Sequence, residues 1–141
     1  MIEMTLNKIR IDEKNEGQMI VLKEKNGSRQ LPIIIGVSEV AAIKRNLSGV
    51  QPPRPMTHDL LVNIINELNA KLEKVVIDKI ESNTFYAKMV LIAAAGPDRD
   101  KRVFVDARPS DSIALALRLD APIYVEEKIF EDLRKYQSNI I

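Results

Sequence analysis

The sequence contains no cysteine, a single histidine and no long hydrophobic run. Without cysteine the chain forms neither disulfide bonds nor a thiolate zinc site. The longest apolar run, residues 89–95, is far shorter than the roughly 20 residues that a membrane-spanning helix requires. The five glycines are scattered, so there is no glycine-rich phosphate-binding loop. These absences exclude disulfide-rich, membrane-spanning and P-loop proteins.

Charge of one sign is also scarce, because the formal net charge of the 141 residues is only +1. Proteins that bind nucleic acid tightly and without sequence preference usually carry a strong basic excess. A nucleic acid should therefore meet a local patch of this chain or bind it transiently. The first residues lack the basic and apolar regions of a signal peptide, so we expect a cytoplasmic protein that does not bind membranes.

The chain resembles itself when it is shifted by about 70 residues. Residues 4–9 then lie over residues 75–80, and residues 31–47 lie over residues 103–119. We therefore predict an α+β fold with duplicated β-β-β-α units, which form a mostly antiparallel sheet with helices packed against it. The predicted single domain, 1–141, comprises repeats at about 2–48 and 73–119, a loop and helix at 49–70, and a strand and helix at 122–136.

The first strand of each repeat changes the parity of its apolar residues. Leu6 and Ile9 differ in parity, and so do Ile77 and Ile80. Because side chains alternate along a strand, each switch predicts a β-bulge. Asn26-Gly27 after the second strand is a strong hairpin signal.

Each repeat ends in a predicted helix. Ser38 and Thr57 are natural N-caps, and Pro109 suits a first helical turn. Residues 113–119 are apolar on almost every side, which is typical of a buried helix. Its alanines would allow close packing against the sheet or against a second subunit.

Several segments carry a resemblance to a known family: residues 31–36 (LPIIIG), 54–61 (RPMTHDLL), 84–87 (TFYA), 106–118 (DARPSDSIALALR) and 121–125 (APIYV). Together they span most of the chain. The sequence resembles the bifunctional nuclease domain family. The resemblance implies a nuclease, with activity on both RNA and DNA attributed to plant members. It also implies a homo-oligomer, which we expect to be a dimer.

Phosphodiester hydrolysis needs an activated water and stabilisation of the developing negative charge. A pair of histidines is excluded within one protomer, whereas carboxylates that hold Mg²⁺ or Mn²⁺ beside an arginine remain available. No organic cofactor is expected. The candidate catalytic residues are Asp106, Asp111, Arg108 and His58, the candidate substrate-binding residues are Arg54, Ser110 and Asp59, and the candidate metal ligands are Asp106, Asp111 and Glu39.

The same residues also have structural interpretations. Ser110 and Asp111 suit a helix cap, Arg108 with Asp106 suits an ion pair, and Glu39 suits the first turn of any helix. His58 suits a helix start. The alternative function is a non-catalytic oligomeric module that binds a small anion or a protein partner.

Overall fold

The computed structural model describes residues 1–11 and 17–138. Within them the chain forms seven strands and four helices. The strands are β1 (Ile2–Ile11), β2 (Gln18–Glu24), β3 (Gln30–Ile35), β4 (Lys71–Glu81), β5 (Thr84–Gly96), β6 (Arg99–Ala107) and β7 (Ile123–Val125). The helices are α1 (Val37–Ser48), α2 (Thr57–Glu67), α3 (Pro109–Arg118) and α4 (Glu127–Ser138). The last residues of the predicted domain, 139–141, and residues 12–16 lie outside the described part.

All seven strands join one sheet in the order β3-β2-β1-β7-β4-β5-β6. Every neighbouring pair is antiparallel except β4 with β7, which is parallel. The predicted α+β class and the mostly antiparallel sheet are confirmed. The element order β-β-β-α occurs twice along the chain, and the strands of the two units lie on either side of β7 in the sheet. The duplication itself stays a prediction, because the order of elements does not show common descent.

Both predicted bulges are present. The pairing of β1 with β2 shifts between Leu6 and Lys8, and the pairing of β4 with β5 shifts between Ile77 and Lys79. The extra residue restores the apolar side chains that follow it to the inner face of the sheet. Hydrophobic parity was therefore sufficient to locate these two irregularities.

The hairpin at Asn26-Gly27 is present, but it is not a two-residue turn. Neither residue has a positive φ, and the loop extends over residues 25–29. The carboxylate of Glu24 folds over the loop, accepts a hydrogen bond from the Arg29 backbone N–H at 3.0 Å, and fills the space above Gly27. This side-chain contact stabilises the wider loop.

The predicted N-caps are shifted by one or two residues. Helix α1 begins at Val37 with Gly36 as its N-cap, so Ser38 is already helical. Helix α2 begins at Thr57 with Met56 as its N-cap. The Asp59 carboxylate accepts a hydrogen bond from the Met56 N–H at 2.9 Å, which satisfies a donor at this helix start.

Helix α3 lies at the centre of the molecule. Its residues Ser112, Ile113, Leu115 and Ala116 are 0–1% exposed, and the last three belong to a core that also contains side chains of the other three helices. The helix packs against β4, β5, α1 and α2. The buried interpretation of residues 113–119 is confirmed for 113–116, and the suggestion that α3 forms a subunit interface is wrong, because the sheet and the other helices cover it.

The four helices cover one face of the sheet. The side chains of Ala87 and Met89 point into the core, whereas Lys88 between them is exposed on the opposite face. No helix within the described residues is long and apolar enough to cross a membrane.

Candidate functional site

The first turn of α3 brings distant residues together. Asp111 lies in this turn, and its carboxylate accepts two hydrogen bonds from different elements. The Nε2 atom of His58, from the first turn of α2, lies 3.0 Å from Asp111 Oδ1. The Nε–H group of Arg108, the N-cap residue of α3, donates to Asp111 Oδ2 at 2.9 Å.

A fourth residue, Glu39 of α1, completes this arrangement. Its Oε1 atom lies 3.1 Å from Nη2 of Arg108. The Glu39 side chain folds back over Gly36, and a Cβ atom at position 36 would overlap its carboxylate. Glycine at this position therefore leaves the space that the contact needs. We call His58, Asp111, Arg108 and Glu39 the Asp111 cluster.

The charge state of Asp111 is set by opposing effects. Burial raises the pKa of its carboxyl, but hydrogen bonds from Arg108 and His58 outweigh burial and hold the pKa below its ordinary value of 3.8. The same hydrogen bond to Asp111 raises the pKa of the Arg108 guanidinium. At neutral pH the cluster therefore contains an ionised Asp111 and a permanently charged Arg108.

The contact with Asp111 determines which nitrogen of His58 is free. Asp111 is ionised and can only accept, so Nε2 carries the proton that it donates. The other nitrogen, Nδ1, has no hydrogen-bond partner within the described residues. In the neutral ring Nδ1 holds a lone pair, which suits a general base.

Asp106 does not belong to this cluster. It lies opposite Lys88 in the β5–β6 ladder, while its neighbour Ala107 lies opposite the buried Ala87. Alternation therefore directs Asp106 to the sheet face that the helices leave open. The predictions that Asp106 cooperates with Asp111, or pairs with Arg108, are wrong for this reason.

The predicted Mg²⁺ or Mn²⁺ site does not fit the structure. Asp106 is on the other face of the sheet, and the carboxylates of Asp111 and Glu39 are both engaged by Arg108. Within residues 1–11 and 17–138 there is no group of three or more histidine, aspartate or glutamate side chains that could hold a metal ion. No catalytic step is therefore assigned to a metal here.

The remaining predicted site residues are Arg54, Asp59 and Ser110. Arg54 is exposed in the proline-rich loop, and Asp59 contacts Arg118 Nε at 3.6 Å in addition to the Met56 N–H. Ser110 is buried in the first turn of α3. It does not cap this helix, because the N-cap is Arg108 and makes no side-chain capping hydrogen bond.

A cleft of about 250 Å³ opens beside His58, between α1, the loop at residues 49–56, α2 and α3. Its polar wall includes Arg45, Asn63 and Arg118, which the sequence analysis did not select. A signal for Arg118 was available, since it lies seven residues after Asp111 and therefore two helical turns further along the same face. Arg45 and Asn63 carry no comparable signal.

The comparisons with known proteins agree with the segment resemblance. A family model described as the bifunctional nuclease domain matches residues 20–138. An uncharacterized protein of Mycobacterium tuberculosis (strain ATCC 25618 / H37Rv), Rv1829, is 43% identical over 129 residues, which cover 92% of this chain and 74% of that protein.

Plant relatives are more distant. Bifunctional nuclease 1 of Oryza sativa subsp. indica is 26% identical over 122 residues, which cover 86% of this chain and 36% of the plant protein. Bifunctional nuclease 2 of Arabidopsis thaliana is 27% identical over 109 residues, which cover 77% of this chain and 32% of that protein. The chain thus spans about one third of these plant proteins. Because the family model covers most of its length, the chain belongs to the bifunctional nuclease domain family.

Proposed function

We propose that the protein hydrolyses phosphodiester bonds of RNA or DNA at the Asp111 cluster. The observation that carries the proposal is the Asp111 carboxylate, which joins a histidine with a free ring nitrogen to an arginine with free donors. Membership of the bifunctional nuclease domain family supports the same activity, as do the names of the plant relatives.

Arg108 is suited to bind the phosphate. A guanidinium has five N–H donors, and Asp111 and Glu39 use one each, which leaves three for phosphate oxygens. Its side chain is 65% exposed, so a phosphate reaches it without displacing other groups. The two carboxylates fix the guanidinium in place, and a positioned cation stabilises the charge that develops on the phosphoryl oxygens.

His58 is suited to activate water. Water attacks phosphorus while its proton passes to Nδ1 of His58, and the bond from phosphorus to the leaving oxygen breaks. The leaving oxygen then takes up a proton from the imidazolium or from solvent. Asp111 holds the ring in the required tautomer and stabilises the imidazolium that forms.

A nuclease assay with matched variants tests the proposal. We would measure cleavage of fluorescently labelled single-stranded RNA and DNA by the wild type and by His58→Asn, Asp111→Asn and Asp106→Asn, all purified side by side. Loss of a general base typically lowers the rate by about 10²–10⁴-fold, which we expect for His58→Asn. Asp106→Asn should retain the wild-type rate, because Asp106 lies on the other face of the sheet.

Two results would contradict this assignment. One is an unchanged rate for His58→Asn, which would point to a contaminating nuclease or another site. The other is complete loss of activity in EDTA with recovery in Mg²⁺ or Mn²⁺, because the proposed step uses only groups of the chain.

A second candidate function, assembly into a homodimer, is favoured by α2. Exposed apolar residues form a stripe along this helix and at its two ends: Leu60, Leu61 and Ile64 within α2, Met56 before it and Leu68 after it. Exposed apolar patches of this kind mark interaction surfaces.

Light scattering after size exclusion should find a dimer for the wild type and a monomer for Ile64→Asp. Asn66→Asp, the same charge change on another side of α2, should remain dimeric. A monomeric wild type would refute this proposal.

A further inference from the structure

A second and larger cleft, of about 880 Å³, lies on the other side of the Asp111 cluster. Its walls are the end of β3, the β4–β5 hairpin, the first turn of α3 and one face of α4. We call it the β3–α4 cleft. Its size falls within the range of about 300–1,000 Å³ that small-molecule sites occupy.

The lining of this cleft has a one-sided charge. Three arginines, Arg29, Arg108 and Arg134, contribute to it, and no aspartate or glutamate of the described residues does. Arg29 donates to Glu24 and Glu127, and its guanidinium carbon lies over the Phe130 ring, 4.4 Å from the ring centre. Arg29 is neutralised by these two carboxylates, whereas Arg108 has three N–H donors that Asp111 and Glu39 do not use, so the cleft suits a ligand that carries negative charge at the Arg108 end.

The rest of the lining is mostly apolar. Phe85 is a partly buried aromatic residue of this lining, the Arg29 guanidinium covers the buried Phe130 ring, and Ile34, which is 74% exposed, provides an aliphatic edge. Asn83 and Ser110 add hydrogen-bonding groups. Aromatic and aliphatic surfaces with a few polar groups are what an unpaired nucleobase needs for stacking and for contacts to its edge.

Arg108 connects this cleft to the Asp111 cluster. It lines the β3–α4 cleft and also donates to Asp111, which holds His58. A phosphate bound to the outer N–H groups of Arg108 would therefore have its neighbouring base at the mouth of the cleft. A fatty anion would fill the apolar part equally well, but it would not use the link to His58.

We propose that the β3–α4 cleft binds an unpaired nucleobase next to the phosphate held by Arg108, so that the substrate is single-stranded nucleic acid. This inference rests on the proposed function. A paired base is stacked inside its duplex and cannot enter the cleft. Duplexes should therefore be poor ligands and poor substrates.

The test compares two exposed apolar residues on opposite edge strands. Ile34→Glu places a negative charge in the cleft, and Phe104→Glu makes the same change on β6, outside both clefts. The probe is a short single-stranded DNA containing 2-aminopurine, whose fluorescence falls on stacking. We expect Ile34→Glu to weaken binding at least about tenfold and Phe104→Glu to leave it unchanged. Annealing the probe to its complement should abolish the change in fluorescence that the protein causes.

The outcomes separate the two proposals. Equal affinity of both variants for the probe, or equal cleavage of single strands and duplexes by the wild type, would overturn the base-binding role. Displacement of the probe by decanoate at lower concentrations than a mononucleotide requires would also overturn it, in favour of a fatty anion. Binding that depends on Ile34 in a protein without nuclease activity would support the base-binding role and refute the proposed hydrolysis.

Discussion

Replacing Asp111 by asparagine removes one negative charge and keeps nearly the same shape. In the wild type the carboxylate accepts one hydrogen bond from His58 and one from Arg108. Hydrogen bonds to charged groups contribute about 1.5–3 kcal/mol each when they are shielded from water. The Arg108 side chain is 65% exposed, so its contact is worth no more than about 1 kcal/mol. Asparagine retains one acceptor, and we therefore expect a loss of about 1–2 kcal/mol at pH 7.

The pH dependence makes this prediction specific. The pKa of Asp111 is lower in the folded protein than its ordinary value of 3.8. A lowered pKa stabilises the fold at pH values above the unfolded pKa, and this contribution disappears as the pH falls through the folded pKa. The difference between wild type and Asp111→Asn should therefore be present at pH 7 and shrink below about pH 4.

Urea unfolding followed by far-ultraviolet circular dichroism at pH 7, 5 and 3 measures this difference. For a chain of this size the expected loss at pH 7 corresponds to a fall in Tm of about 3–8 °C. Asp106→Asn is the control and should change the stability by less than about 0.5 kcal/mol. An Asp111→Asn variant as stable as the wild type at pH 7, or equally destabilised at pH 3, would refute the role assigned to the carboxylate.

Three further predictions concern stability. The hydroxyl of Ser112 is buried without a hydrogen-bond partner, so Ser112→Ala should raise the free energy of unfolding by about 1 kcal/mol, and a decrease in Tm would contradict this. Gly36→Ala should displace the Glu39 carboxylate from Arg108. This substitution should lower the free energy of unfolding by less than about 1 kcal/mol, and adding Glu39→Gln to it should lower that free energy no further. A double-mutant cycle measured by urea unfolding tests both expectations. Ile113→Ala, at a core position with no exposure, should cost about 2–5 kcal/mol in the same assay, whereas Ile34→Ala at an exposed position should cost almost nothing.

Local sequence patterns predicted the elements of the fold well. Hydrophobic parity located the bulges of β1 and β4, because a shift in alternation has no other simple cause in a half-buried strand. The continuous apolar run of α3 predicted its burial, because a helix without a polar face must be surrounded by protein. Helix starts were predicted less accurately, since α2 has Met56 rather than Thr57 as its N-cap and the Asp59 carboxylate accepts a hydrogen bond from the Met56 N–H.

The candidate site was predicted only in part. The sequence analysis selected Asp106 wrongly, because it did not consider that Ala107 and Asp106 must point to opposite faces of β6 and that Ala107 faces the core side. Arg108 and Asp111 are three residues apart at a helix start, so their contact follows from local geometry.

The sequence alone therefore determined the family and most of the strands and helices, but it assigned Arg108 to Asp106 rather than to Asp111. Only the tertiary structure decided that His58, 53 residues before Asp111, donates to the same carboxylate. It also decided that Glu39 reaches Arg108. The physical reason is that alternation and helical periodicity assign a side chain to a face, whereas the distance between two faces depends on how whole helices pack over the sheet.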